Sequence, residues 1–527
     1  MPSVPKSLFV LGASALAFLR ARRWCREGQA VPQQQLTWKE WTTRAATTAY
    51  GHQHGIEAGM RYSQFQDRVP PRSYEAFVPW IDRMKRGGAD VLWPGYCADY
   101  AITAGTTTGQ PKELPVTPAM LQHFRQAGLD ALLMYTVRTG SSRIFRGRHL
   151  LLGGAAPLLP LVESPPCPRA SNRTGRALPG LPEWAERHFY EPGRDIAQIS
   201  DWPAKLHAIA ARCSAQNITL LAGLPNWLLT LAEAVREYSR AQNQGINQLG
   251  ELWPNLECLI HGGIPLTPFA DELRRALGPG VNLHEVYPAA EGFIAAQDTC
   301  RTHGLRLLTG AGLFFEFLPL SAFDASRLEH LGHKVVPLAE VRVGLDYALL
   351  LTTPAGLCRY VLGDVVRFLS TEPPRLLYVG RTQLQLQAFS EHVTEKELTD
   401  SLTAVCTRHT WSVVNFHVAP LFSHQPLGPQ RGRHEWWVEL RPGTKETPTG
   451  PILEVELDAE LQRLNVHYAA RRQNGELEPP IVRLVIPCFF AQWLQQQGKW
   501  GGHHKMPRCR SDRTLADAFA QKAQFNR

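Results

Sequence analysis

Three short segments of the 527-residue chain carry residue types suited to handling a nucleotide. The first, Ala104-Gly105-Thr106-Thr107-Thr108-Gly109-Gln110-Pro111-Lys112, is a glycine- and hydroxyl-rich loop ending on a lysine. Successive backbone N–H groups in such a loop form an anion-binding concavity, to which the threonine hydroxyls add donors and Lys112 a charge. The loop is not a Walker A sequence, because no Gly-Lys-Ser/Thr follows at the required spacing. The second, Tyr287-Pro288-Ala289-Ala290-Glu291-Gly292-Phe293, follows a strand-like run and puts Glu291 where α/β folds place ligands. A carboxylate there can hold Mg²⁺ while the ion bridges phosphates; the other reading is a surface glutamate in a turn. The third, Arg359-Tyr360-Val361-Leu362-Gly363-Asp364-Val365-Val366-Arg367, sets Asp364 in an apolar run, with Gly380-Arg381 shortly after. A buried carboxylate is costly unless hydrogen-bonded. Two ribose hydroxyls would satisfy it, and so would an ion pair with Arg359 or Arg367.

The elements that must position these residues are partly marked in the sequence. Val281 to Tyr287, Leu313 to Leu318, Ala348 to Thr353 and Val482 to Ile486 read as strands, as does Asp99 to Thr103 before the loop. Tyr347 to Thr353 is nearly all apolar, as expected of a strand buried on both faces. Thr117-Pro118 opens a helix with an N-cap and a proline at its first position, and Thr267-Pro268 opens another. Thr394-Glu395-Lys396-Glu397 is a capping box opening a third. Strands alternating with helices predict an α/β fold. The expected division is a leader over residues 1–30, a large N-terminal domain over 31–381, a polar hinge over 382–394, and a smaller, mobile α+β domain over 395–527. Loops or insertions are expected near 165–182 and 423–433, where Pro, Gly, Ser, Asn and Arg cluster.

Composition narrows the function. Apolar residues make up 44% and charged residues 20%, which is the balance of a globular chain. Five positive charges, Lys6, Arg20, Arg22, Arg23 and Arg26, precede the first acidic residue, Glu27, out of a net +9, so the body is only mildly basic. A nucleic-acid partner is not expected. Ten cysteines without a Cys-x-x-Cys pair form neither a disulfide framework nor a zinc ribbon, and isolated cysteines usually fill cores.

The N-terminus has two readings. Ser7 to Leu19 is apolar but shorter than the ~20 residues of a membrane span. Its length and Ala15-Leu16-Ala17 resemble a signal peptide. The arginines that follow favour an anchor or interfacial segment with the body in the cytosol. The expectation is association with the endoplasmic reticulum or a related membrane through residues 7–19. Against this stand a first helix packed on the domain of a cytoplasmic protein, or a lumenal protein after cleavage. Glycosylation at the sequons of Asn172 and Asn217 would distinguish lumen from cytosol.

Taken in order, Thr-Thr-Thr-Gly…Lys, Tyr-x-x-x-Glu-Gly-Phe and Arg-Tyr-x-x-Gly-Asp-Val-Val resemble the nucleotide motifs of the Gretchen Hagen 3 family of acyl acid–amido synthetases, within the firefly-luciferase-like adenylating superfamily. The likeness continues through Leu252-Trp253-Pro254-Asn255-Leu256, Gly262-Gly263, Phe315 to Pro319, Leu464-Asn465 with Tyr468 and Arg471, Pro479-Pro480, and Lys505-Met506-Pro507-Arg508. It covers about residues 35 to 515. The resemblance implies a ligase that joins a small carboxylic acid to an amino acid through an acyl-adenylate, with ATP and Mg²⁺. By resemblance Thr106, Thr107, Thr108, Gly109 and Lys112 meet phosphate. Glu291 holds the metal, and Tyr287 and Asp364 lie at the nucleoside. Arg381 sits at the hinge, and Lys505 is a catalytic lysine brought in by rotation of the C-terminal domain. A monomer is expected. Three departures stand out: the loop begins Ala104-Gly105 where Ser-Gly is usual, Ala289 and Ala290 replace hydroxyl residues, and His392 replaces a lysine. Each removes a donor or a charge near the phosphates. A weakly catalytic nucleotide-binding protein at a membrane, or a ligase using coenzyme A, therefore remains the alternative.

Overall fold

The strand Asp346–Thr352 is buried from Tyr347 onward, with Leu349, Leu350 and Leu351 fully shielded. Burying each such leucine is worth roughly 1.5–3 kcal/mol, so this run fixes the centre of the sheet. It pairs antiparallel with Phe314–Pro319 on one side and Tyr360–Thr371 on the other. In the computed structural model these belong to a twelve-stranded sheet. The structure describes residues 6–24, 26, 28–103, 112–153, 159–160, 169–172, 183–263, 266, 269–382, 385–386, 388–389, 391, 393–423, 431–441, 449–497 and 506–522. From Val336–Pro337 the sheet runs through Phe314–Pro319, Asp346–Thr352, Tyr360–Thr371, Pro374–Arg381, Leu305–Leu307 and Gly292–Ala296 to Asn282–Ala289, all antiparallel. Beyond Asn282–Ala289 it becomes parallel through Cys258–Gly262, Ile218–Gly223, Arg148–Leu151 and Tyr190–Glu191. The helices Trp202–Cys213, Pro225–Ala241 and Ala270–Leu277 pack into the core of the parallel half.

The expected strands are all present, displaced by a residue or two at their ends. Thr117 caps the helix Pro118–Thr139 by accepting from Met120 N–H, and Thr394 and Glu397 form the reciprocal box that opens Glu395–Arg408. Thr267 and Pro268 lie outside the described residues; the helix after them starts at Ala270. The nucleotide loop differs from its simplest reading. Asp99–Thr103 pairs antiparallel with Lys112–Pro115, Thr103 opposite Lys112, so a second strand stands between the loop and the helix. Lys112-Glu113-Leu114-Pro115 is too short and too mixed in polarity to read as a strand from pattern alone.

The C-terminal part is α+β. Val413–Ser423, Arg431–Leu440 and Ile481–Val485 form a separate three-stranded sheet. Trp436 faces the core with Leu398, Leu453 and Leu457, while the adjacent Trp437 faces Phe489 and Phe519 on the other side, as alternation along a strand requires. Within the segment expected to be a hinge, Gln385–Leu386 and Val393–Thr394 form a two-stranded ribbon. Of the insertion expected at 165–182, only the strand Arg169–Asn172 is described; at 423–433, residues 424–430 lie outside the described residues, between two strands.

Lys6–Trp24 is one helix, packed against Pro118–Thr139 and the turn Arg143–Arg146. Among the described residues, no helix is long and apolar enough to cross a membrane. The eight described cysteines are free; six are buried, and Cys300 and Cys488 are exposed.

Candidate active site

The site forms where the large sheet curls. Tyr360–Thr371 and Asn282–Ala289 are separated by three strands in sheet order, yet the Tyr287 hydroxyl donates to Asp364 Oδ2 at 2.6 Å. Asp364 sits opposite Arg381 in the ladder, and Arg381 Nε lies 3.2 Å from its Oδ1. Asp364 is therefore satisfied by neither of the arginines offered by the sequence. Arg359 pairs with Glu316 at 3.1 Å, and Arg367 with Asp346 at 2.6 Å. Gly363, just before Asp364, has φ +86° and accepts from Thr382 N–H. A side chain would be strained there, and the turn of backbone accompanies the shift of register between Val365 and Val366.

Glu291 lies in the turn between Asn282–Ala289 and Gly292–Ala296, next to the strand at which the sheet passes from antiparallel to parallel. It is 8% exposed, which excludes the surface-turn reading. Tyr360, fully buried, donates its hydroxyl to Glu291 Oε1 at 2.9 Å and accepts from Lys112 Nζ at 3.0 Å. Lys112 also lies 5.5 Å from the Tyr74 ring centroid, a cation–π distance. Lysine, tyrosine and glutamate thus form one chain. Burial, followed by the neighbouring Glu291, holds the Tyr360 hydroxyl well above its ordinary pKa, so it stays a donor. Burial and then Asp364 do the same to Tyr287. The Tyr378 ring packs edge-on against Tyr287 at 5.7 Å, and its hydroxyl is raised by burial as well. Arg381 is pushed above its usual value by Asp364 against its own desolvation and stays charged.

Behind this site, Arg359 stabilises the strand start. Its backbone is left-handed, φ 47°, and its side chain is fully buried. It donates to Glu316, to the carbonyl of Val69 at 2.6 Å and to that of Gly332 at 2.9 Å, while Tyr62 donates to Glu316 at 2.7 Å. Below Glu291, Phe293 N–H donates to His123 Nε2 at 2.8 Å, and His123 Nδ1 bonds the Ala311 carbonyl at 2.7 Å. This requires the neutral Nδ1–H tautomer.

Of the residues picked from the sequence, Lys112, Tyr287, Glu291, Asp364 and Arg381 occupy two adjoining hydrogen-bonded groups. Thr106, Thr107, Thr108, Gly109 and Lys505 lie outside the described residues, as do Ala104 and His392. Tyr360, the link between Lys112 and Glu291, is not among the residues picked from the sequence. Its signal is its place within the Arg-Tyr-x-x-Gly-Asp run. Among the described residues no group of three or more His, Cys, Asp or Glu could hold a metal. A single carboxylate beside phosphates is how Mg²⁺ is commonly held, so Glu291 fits such an ion.

The chain matches three family models: the GH3 family N-terminal domain over residues 24–156, the central domain over 306–381 and the C-terminal domain over 396–514. It is 28% identical over 286 residues to indole-3-acetic acid-amido synthetase GH3.10 of Arabidopsis thaliana, covering 51% of this chain and 44% of the relative. A putative indole-3-acetic acid-amido synthetase GH3.10 of Oryza sativa subsp. japonica is 25% identical over 73% of this chain and 88% of its own length. A jasmonoyl–L-amino acid synthetase of Nicotiana attenuata is 31% identical over 36% of this chain and 33% of its own length. The alignments thus span under half of the first of these relatives and a third of the last. Among solved structures, the AtGH3.15 acyl acid amido synthetase in complex with 2,4-DB superposes with a TM-score of 0.77 at 17% identity, covering 98% of this chain and 97% of that one. A 2-hydroxyisobutyryl-CoA ligase superposes at 0.55 and 15% identity over 94% and 90%. These likenesses establish the fold as the one shared by those two structures. With N-terminal, central and C-terminal models all matched in order, the chain belongs to the GH3 family.

Proposed function

We propose that the chain is an ATP-dependent acid–amino acid ligase. A carboxylate oxygen of the acid attacks the α-phosphorus of ATP, forming an acyl-adenylate and releasing pyrophosphate. The amine of an amino acid then attacks the acyl carbon, forming the amide and releasing AMP, with the amine proton lost to solvent. The observation that carries this reading is the paired buried groups, Lys112–Tyr360–Glu291 and Tyr287–Asp364–Arg381. In this reading the first group would meet departing pyrophosphate with the Lys112 charge and offer Glu291 to a metal ion, and the second would offer ribose hydroxyls a fixed carboxylate acceptor. Glu291 would hold Mg²⁺, whose charge would offset that of the leaving pyrophosphate. Thr106, Thr107, Thr108 and Gly109 would line the phosphates. Arg381 stands at the start of the 382–394 segment, where rotation of residues 395–527 would deliver Lys505 for one half-reaction and withdraw it for the other. The enzyme would act as a monomer.

The test is acid-dependent exchange of labelled pyrophosphate into ATP over a panel of carboxylic acids, followed by amide formation with an amino acid panel. Exchange with at least one acid is expected, and Asp364→Ala should abolish it. The departures at Ala104, Ala289, Ala290 and His392 favour one second reading, nucleotide binding without turnover. It holds if ATP binds and no acid supports exchange. Thioester formation with coenzyme A in place of the amide would establish the coenzyme A ligase instead.

A further inference from the structure

Between Ser7 and Leu19 the helix Lys6–Trp24 carries no charged residue on any side, but the protein covers only one side of it. Phe9, Val10, Ala13, Ala17 and Trp24 pack inward. Lys6 Nζ donates to the Gly147 carbonyl, Ser14 and Ser142 share a hydrogen bond at 2.7 Å, and Arg20 pairs with Asp130 at 3.4 Å. On the opposite side, Leu8, Leu11, Phe18 and Leu19 are 55%, 66%, 59% and 59% exposed, and no charged residue interrupts that side between Ser7 and Leu19. Trp184, 54% exposed, stacks on Phe9 at 5.5 Å at the margin of the docked side. A helix apolar all round normally lies in a core or in lipid. Neither this helix nor any other among the described residues is long and apolar enough to cross a membrane.

The charges choose the occupant. Arg22 and Arg23 end the helix on its outer side, and the Arg22 guanidinium lies over the Phe18 ring at 4.4 Å, holding its charge at the rim of the apolar strip. Arg23 and Arg26 also line a cavity of about 940 Å³ whose walls carry six arginines, with Arg20, Arg44, Arg306 and Arg375, against the four carboxylates of Glu40, Asp130, Asp298 and Glu372. A second protein copy would bring the same arginines and be repelled there. An anionic lipid surface matches both the apolar strip and the excess of positive charge.

We infer that the outer face of Lys6–Trp24 lies flat in the headgroup region of an anionic membrane, with Leu8, Leu11, Phe18 and Leu19 in the acyl boundary and Arg22, Arg23 and Arg26 on lipid phosphates. The catalytic body then faces the same aqueous compartment as those headgroups. The test is co-sedimentation of the full chain with phosphatidylcholine vesicles with and without phosphatidylserine. Binding to the anionic vesicles only is expected, weakening with salt. Leu11→Asp and Leu19→Asp should each lower the partition coefficient about tenfold or more, and Arg22→Ala and Arg23→Ala about fivefold each. Because all four side chains point outward, thermal unfolding should be unchanged. The inference is overturned if wild-type protein stays in the supernatant with both vesicle types, or if the aspartate variants bind as wild type does. It is overturned too if sedimentation velocity shows self-association that Leu11→Asp abolishes, which would make a second copy the occupant.

Discussion

Tyr360→Phe removes one oxygen and changes little else, which makes it the sharpest probe of the site. That oxygen accepts from Lys112 at 3.0 Å and donates to Glu291 at 2.9 Å. A hydrogen bond to a charged group is worth roughly 1.5–3 kcal/mol, so each partner loses something of that order. The charges do not lose each other. Lysine and glutamate stand no more than about 6 Å apart through the hydroxyl, where their attraction at an effective dielectric of 20 is still about 3 kcal/mol. Without the spacer they are drawn into direct contact, which takes both away from the phosphates they are proposed to meet. Loss of one such contact in the transition state slows pyrophosphate exchange roughly 10- to 150-fold, at about tenfold per 1.4 kcal/mol. The Mg²⁺ concentration giving half-maximal exchange should rise as well, because Glu291 is then engaged by Lys112. Exchange rates across a Mg²⁺ titration, with thermal unfolding as a control for folding, decide the matter. An exchange rate and Mg²⁺ dependence equal to wild type would refute the view that Tyr360 positions these charges.

Arg359→Leu should reduce the yield of folded protein and lower the unfolding temperature, because removing one partner of a fully buried pair leaves Glu316 unpaired at a cost of about 3–5 kcal/mol. Soluble yield and thermal unfolding would show it, and a variant as stable as wild type would mean that Tyr62 alone satisfies Glu316. Burial, partly offset by Arg20, raises the Asp130 carboxyl to about 6. The folded state therefore binds this proton more tightly than the unfolded chain, and the group's contribution is most favourable below about pH 4 and is lost as pH rises towards 6. With a tenfold change in proton affinity equal to about 1.4 kcal/mol, the loss is on the order of 3 kcal/mol. Denaturant unfolding of Asp130→Asn between pH 4 and 7 should show a flatter pH dependence than wild type; parallel curves would contradict the raised carboxyl.

The fold was legible where burial imposed a local pattern. Tyr347 to Thr353 read as a two-face-buried strand because every side chain in it is apolar enough to be one, and Thr117 and Thr394 announced helices because capping is decided within four residues. The partners of the site residues were not legible, since they are set by the curl of a sheet rather than by spacing. Asp364 lies five residues from Arg359 and three from Arg367, yet its arginine is Arg381, directly opposite in the next strand. Arg359 instead reaches Glu316, with Val69 and Gly332 closing its shell, three contacts from three distant parts of the chain. Tyr360 is easily missed because a buried tyrosine next to a buried arginine looks like core until its hydroxyl is seen between a lysine and a glutamate. The leader was ambiguous for another reason. With both faces apolar, sequence gives no sign of which one docks, and Phe9, Val10 and Ala13 are as hydrophobic as Leu8 and Leu11.

Of the departures from the family pattern, Ala289 and Ala290 lie among the described residues, where their contacts give them a weight. Ala289 and Ala290 are half-buried and pack against the hydrophobic core that includes Tyr287 and Leu313. Glu291 is held by Tyr360, and Asp364 by Tyr287 and Arg381, with neither alanine involved. If the proposed function holds, what the alanines would remove is binding to the nucleotide, at roughly 1.5–3 kcal/mol for each charged hydrogen bond. A donor to a phosphate that is equally anionic before and during the reaction binds ground and transition states alike, and its loss raises KM while leaving kcat in place. The Lys112–Tyr360–Glu291 chain is intact, and in the proposed reaction it would face charge that develops as pyrophosphate leaves. Under the proposed function, the alanines at 289 and 290 would weaken the hold on ATP and leave the chemical step to Lys112, Tyr360 and Glu291.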